Sequence, residues 1–197
     1  MKKEERVSMQ VNSAVIFAGG QSRRMGKDKA LLPFGAYDTM AEYQYRKLEK
    51  LFPSVYISAK SNKFDFDLKL ISDSYSISSP MVALASVLEK LDNSAVFVLS
   101  VDMPLVDDKV IDTLLKKYQE VEQKPDILIA KSDKGMEPLC AIYSQSVLSM
   151  AKELLDSGIH RMHTLMEKAH VETVFFEDAD KFSNLNTQQE YEVSIRL

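Results

Sequence analysis

The sequence predicts an α/β fold with a mostly parallel sheet covered by helices on both faces. Three observations predict it. Short apolar runs alternate with amphipathic stretches along the whole chain. The most apolar of these runs are continuous rather than alternating, as strands buried on both faces require. The first run also ends in glycines, which suits a strand feeding a loop at the sheet's carboxyl end.

The elements follow in order. Residues 13–18 (SAVIFA) read as the opening strand, stopped by Gly19 and Gly20. Residues 40–52 place Met40, Tyr43, Leu48, Leu51 and Phe52 at helical spacing, and Pro53 closes that helix. Strands follow at 54–59 and 68–72. Pro80 opens a helix over 81–91, a position where its missing N–H costs nothing. SAVFVLSV (94–101) is a buried strand and 107–122 a helix. Strands at 126–130 and 138–143 lie close together, which allows an antiparallel edge strand or a small β insertion there. Helices at 144–156 and 161–168 and a strand at 171–176 complete the pattern, with Thr187 able to cap a last helix. The expected organisation is a mobile tail over 1–12 and a single domain over 13–197.

Composition narrows the function. The net charge is −4, from 25 basic and 29 acidic residues, which argues against a dedicated nucleic-acid binder. A single cysteine, Cys140, excludes an internal disulfide framework and fits a reducing compartment. No apolar run approaches membrane-spanning length, and the charged N-terminus has no apolar segment behind it. A cytoplasmic protein with no membrane and no nucleic-acid partner is expected.

The chemistry points to residues 18–35, AGGQSRRMGKDKALLPFG. Arg23, Arg24, Lys27 and Lys29, less Asp28, give residues 23–29 a charge of +3 in an acidic chain. Glycines let backbone N–H groups approach a ligand closely, and clustered cations neutralise it, so the stretch reads as a polyphosphate cradle. It is not a P-loop. Five residues separate Gly20 from Gly26, and Asp28 stands where the magnesium-binding hydroxyl belongs. Nor is it a dinucleotide fingerprint, since Gly19 and Gly20 are adjacent.

The stretch resembles the nucleotidyltransferase signature L-A-G-G-x-S-x-R-M-G-x-D-K, with Phe17 in the leucine place. Further segments resemble those of the molybdenum cofactor guanylyltransferase (MobA) family: LISDS (70–74), SSPMVALASVLE (78–89), VDMPLV (101–106) and NLNTQQEY (184–191). The resemblance spans most of the chain. It implies a three-layer α/β/α nucleotidyltransferase fold of Rossmann-like type. It also implies an Mg²⁺-dependent reaction that transfers GMP from GTP to molybdopterin and releases pyrophosphate. The partners implied are GTP, molybdopterin or its molybdenum-loaded form, the molybdenum-insertion protein, and apo-molybdoenzymes or their chaperones.

The resemblance assigns roles one residue at a time. Phe17, Ala18, Gly19 and Gly20 match the segment against the guanine nucleotide. Lys29 matches the lysine on its phosphates; apart from the resemblance, the chemistry of the guanidinium suits Arg23 or Arg24 to clamp the pyrophosphate. Asp73 matches a nucleotide-contacting aspartate, and Asp102 the aspartate that binds magnesium and GTP. Asn184 and Asn186 match asparagines on the pterin side. The sequence departs from the family in two places. Ser58 or Lys60 stands for an expected asparagine, and Ser79 precedes Pro80 where glycine is usual.

The residues also have plainer readings. Asp102 can start a turn before the 107–122 helix, Asp73 can cap a helix, and Asn186 can cap the last one. His160, His163 and His170 cluster in sequence but read as surface histidines, since no third ligand stands out. Cys140 reads as a buried small hydrophobe. The competing chemistry is cytidylyl transfer to molybdopterin or to a small phosphorylated alcohol or sugar. A nucleotide sensor without chemistry and a pterin carrier are the other classes considered.

Overall fold

The computed structural model describes residues 11–19, 28–75, 77–185 and 190–191. Seven strands form one sheet: β1 (Ser13–Phe17), β2 (Ser54–Ala59), β3 (Leu70–Ser72), β4 (Ala95–Ser100), β5 (Ile127–Ser132), β6 (Gly135–Ser144) and β7 (Val171–Phe175). Their order across the sheet is β3-β2-β1-β4-β6-β5-β7. Five α-helices are described: α1 (Met40–Leu48), α2 (Pro80–Lys90), α3 (Asp108–Glu120), α4 (Val147–Asp156) and α5 (Met162–Lys168). No helix among the described residues is long and apolar enough to cross a membrane.

The three layers follow from the two-residue period of the strands. Ala14 and Ile16 of β1, Phe97 and Leu99 of β4, and Leu128 and Ala130 of β5 point into one core with α1 and α3. Val15 and Phe17, Val96 and Val98, and Ile127 and Ile129 point into a second core with α2, α4 and α5. Every residue of β1 and β4 is therefore buried, which is why those strands read as continuous apolar runs. Packing begins before β1: Val11 is 8% exposed, and the Asn12 carbonyl accepts from Ser54 N at 3.2 Å.

The sheet is mostly parallel, as expected, with a single reversed strand, β6. Of the two arrangements the sequence allowed over 126–143, an antiparallel edge strand or a small β insertion, the reversed strand is not the edge one. It lies between β4 and β5, and the edges are β3 and β7. Two causes are visible. A tight hairpin, with Gly135 at φ 125°, returns the chain beside β5. Residues 140–143 are also completely buried, so this apolar segment needs a neighbour on both sides. Opposite Ile129 and Ala130 the pairing jumps from Ala141 to Glu137, leaving residues 138–140 as a bulge.

Helix α1 also ends earlier than predicted. The N–H groups of Leu51 and Phe52 both return to the Leu48 carbonyl at 2.9 Å, so 49–51 form a turn. Thr39 caps its start, with Oγ1 accepting from Glu42 N at 3.1 Å. The helix cap expected at Thr187 lies outside the described residues.

Candidate active site

The carboxyl ends of β1, β3 and β4 and the start of α2 meet around a cavity of about 240 Å³. Phe17 and Gly19 come from the end of β1, and Asp73 follows β3. Ser79 and Pro80 open α2, Ser100 ends β4, and Leu139 reaches in from β6. This is the switch-point region of an open α/β sheet, since β1 lies between β2 and β4. A Cβ on Gly19 would meet no described atom within 4 Å, and its φ is not positive. Among the described residues neither packing nor backbone geometry requires glycine there, whereas a ligand lying against the backbone would.

Asp102 stands beside this cavity. Its Oδ2 accepts from Lys29 Nζ at 2.8 Å, and its Oδ1 accepts from the Ser100 hydroxyl at 2.6 Å. Ser100 in turn lines the cavity. The Asp102 backbone is held as well: Val101 N donates to Phe17 O at 3.1 Å, and Leu185 N donates to Asp102 O at 2.9 Å. Asp102 does not cap α3; Asp107 does, with Oδ1 accepting from Val110 N at 3.0 Å. The Asp102 carboxylate is thus left to side chains at the cleft. Lys29 opens a short 3-10 turn, Lys29–Leu31, whose N-cap is Asp28.

Asp73 also proves not to be a cap. Ser79 fills that role on α2, its Oγ accepting from Val82 N at 3.2 Å with φ at −153°. The serine at the usual glycine position therefore sits in extended backbone and fixes the helix start. Burial against the cavity wall raises the Asp73 carboxyl above its ordinary range, and the Ser58 hydroxyl, 3.4 Å away, partly offsets this. Of the two candidates for the missing asparagine, Ser58 makes this contact. Its carbonyl also receives Ala18 N at 3.0 Å, tying β2 to the end of β1.

Phe17, Ala18, Gly19, Lys29, Asp73 and Asp102 are thus gathered at one end of the sheet. Asn184 is exposed and precedes Leu185, whose N–H is bonded to Asp102, so its segment borders the same cleft. Gly20, Arg23, Arg24 and Asn186 lie outside the described residues. His160 sits near Ser79 Oγ at 3.4 Å, while His163 and His170 are exposed. Cys140 is buried, and burial pushes its thiol up from the ordinary value.

Two contributors escaped the sequence reading. Lys63, in the β2–β3 connection, donates to Ala18 O at 3.0 Å and to Asp28 Oδ2 at 2.5 Å. It thereby joins the residue before the glycine stretch to the residue before Lys29. Gln44, on α1, donates into the turn that carries Asp102. Lys63 leaves no trace in local sequence. Gln44 had one: it is a polar residue on the buried stripe of Met40, Ala41, Tyr45 and Leu48.

Comparison with known proteins defines the class first. The sequence model of the MobA-like NTP transferase domain matches residues 14–173, most of the chain, so the protein is a nucleotidyltransferase. It is 40% identical over 188 residues to a molybdenum cofactor guanylyltransferase from Campylobacter jejuni, a match covering 93% of this chain and 96% of the relative. A protein of the same name from Helicobacter pylori is 29% identical over 191 residues, covering 93% and 88%. The chain belongs to the molybdenum cofactor guanylyltransferase (MobA) family. Its fold is shared with the crystal structure of molybdopterin-guanine dinucleotide biosynthesis protein A from Archaeoglobus fulgidus. That match has a TM-score of 0.78 at 21% identity and covers 93% of this chain and 97% of the other.

Proposed function

We propose that this protein transfers GMP from GTP to molybdopterin, giving the guanine dinucleotide form of the cofactor and pyrophosphate. The observation that carries the reading is the Lys29–Asp102–Ser100 group at the rim of a cavity lined by Phe17, Gly19 and Asp73. The names of the relatives at 40% and 29% identity support the choice of guanylyl transfer.

In this reading the nucleotide lies against the backbone at Phe17, Ala18 and Gly19, with Asp73 as a polar contact on the far wall. The Lys29 ammonium neutralises phosphate charge as a compact cation. Arg23 adds a bidentate contact to the departing pyrophosphate. Asn184 and Asn186 present amide donors and acceptors to the pterin. The attacking phosphate monoester is already anionic at neutral pH, its second pKa being about 6. A strong general base is therefore unnecessary, and catalysis falls to positioning and charge neutralisation.

The donor set suits magnesium. Among the described residues no group of three or more His, Cys, Asp or Glu side chains could hold a metal. Mg²⁺ needs no such cage, because it binds through one or two carboxylates, substrate phosphates and water. Asp102 would hold it, and the ion would draw charge from the phosphates.

The test is pyrophosphate release from GTP, CTP or ATP with molybdopterin and Mg²⁺. Release with GTP, dependent on molybdopterin, is the expected result. Release with CTP alone would move the protein to cytidylyl transfer. Nucleotide binding without release would make it a sensor, and pterin binding without nucleotide a carrier.

A further inference from the structure

Gln44 is fully buried, the sole polar side chain on the core stripe of α1. A buried amide is costly unless its hydrogen bonds are all made. Here they are not. Nε2 donates to Met103 O at 3.0 Å and to Ser100 O at 3.3 Å, with Val101 O at 3.5 Å. The amide oxygen finds no partner among the described residues. The three carbonyls around one end of the amide fix which end is the NH₂. An apolar residue of the same shape would avoid the orphaned oxygen, so stability alone does not account for glutamine at this position.

What Gln44 holds is the turn that leaves β4 for α3, and Asp102 sits in the middle of it. One helical turn further along, Lys47 Nζ donates to Val106 O at 2.6 Å and Pro104 O at 3.3 Å. Helix α1 therefore takes up carbonyls on both sides of Asp102. The carboxylate's own contacts, Lys29 and Ser100, set its rotamer, but the position of its Cα depends on the turn.

We propose that Gln44 is a positioning residue for Asp102: it pins the carbonyls of Ser100 and Met103 so that the carboxylate faces the cleft in one place. It touches no substrate and acts through the backbone of residues 100–103. The inference rests on the reading of Asp102 given above.

The test uses Gln44→Met, which keeps the shape and removes both the donor and the orphaned oxygen. Gln44→Leu serves as a second variant should methionine perturb the core. Three results are expected. Turnover in saturating GTP, Mg²⁺ and molybdopterin falls by about tenfold or more, a small misplacement at a reacting centre being enough for this. Hydrogen exchange in the free protein rises over residues 100–106 and stays unchanged over β1 and α2. In a background that already carries Asp102→Ala, Gln44→Met lowers turnover no further, because residues acting through one group are not additive.

Wild-type exchange over 100–106 in both Gln44 variants overturns the inference, as does an additive loss in the double variant. Those outcomes are separate from failure of the functional reading. That failure would show as full turnover in Asp102→Ala itself, while the exchange measurement continues to report on Gln44 alone.

Discussion

Lys29 Nζ lies 2.8 Å from Asp102 Oδ2, although 73 residues separate them in the chain. The pair is partly sheltered, with side chains 13% and 20% exposed. A strand end and the residue closing a glycine-rich stretch are thereby brought into one electrostatic unit. Asp102→Ala is expected to lower turnover at least about tenfold, or about 1.4 kcal/mol of barrier. Lys29→Ala is expected to raise the dissociation constant for GTP. Steady-state rates and calorimetry would check the two separately, and an Asp102 variant as fast as wild type would remove the residue from the reaction.

Asp73 gives a prediction about pH. Burial raises its carboxyl in the folded state, so folded protein holds that proton to higher pH than unfolded chain does. Once pH rises above the shifted value, the ionised carboxylate costs stability. Asp73→Asn is therefore expected to stabilise the protein at neutral pH. The gain should shrink as pH falls through the carboxylate range, where both states become protonated. The same variant should bind GTP more weakly. Denaturant melts at several pH values would show the trend, and a gain that grows on acidification would contradict it.

Lys47 has the opposite dependence at the alkaline end. Burial lowers its ammonium from 10.5 to about 8. Between those values the unfolded chain binds more protons than the folded protein, so this residue's contribution to stability improves as pH rises. The slope is at most about 1.4 kcal/mol per pH unit. In Lys47→Met the stability profile between pH 8 and 10.5 should lose this upward component. An unchanged profile would mean that the ammonium is not desolvated.

Ser79 should behave as a helix cap. Ser79→Ala is expected to cost about 1 kcal/mol, and Ser79→Gly only a few tenths. For a chain of this size that places the alanine variant about 2–4 °C lower in Tm. Equal melting of the alanine and glycine variants would count against the cap.

Lys63 ties Ala18 to Asp28 and should matter for nucleotide affinity although no motif contains it. Lys63→Met is expected to weaken GTP binding about fivefold, or about 1 kcal/mol, the size of one ordinary hydrogen bond. Lys63→Arg should keep most of the affinity. Calorimetry on the two variants would decide, and a methionine variant with wild-type affinity would show the tie to be idle.

The parallel half of the sheet was legible because its strands are buried on both faces and flanked by clear stops. Gly19, Pro53 and Pro80 punctuate the chain where the structure turns. Lys29, Asp73 and Asp102 were legible because each belongs to a local motif. Gln44 and Lys63 were not, because what they hold lies 59 and 45 residues away along the chain. The position of β6 escaped for a similar reason: its apolar run shows that it is buried but not between which strands. Ser79 ran the other way. An apparent departure from the family at a glycine position turned out to be an ordinary extended residue with a useful hydroxyl.

The reversal of β6 means that the chain enters this strand, rather than leaves it, at the end of the sheet where nucleotide is proposed to bind. The wall carrying Leu139 is therefore built from a hairpin and a bulge, while the opposite wall is built from the ends of parallel strands. Hairpin tips accept inserted residues at small entropic expense. The two walls can accordingly diverge independently, and enlarging the 133–134 connection offers a way to refashion the Leu139 wall while the Lys29 and Asp102 side is left alone.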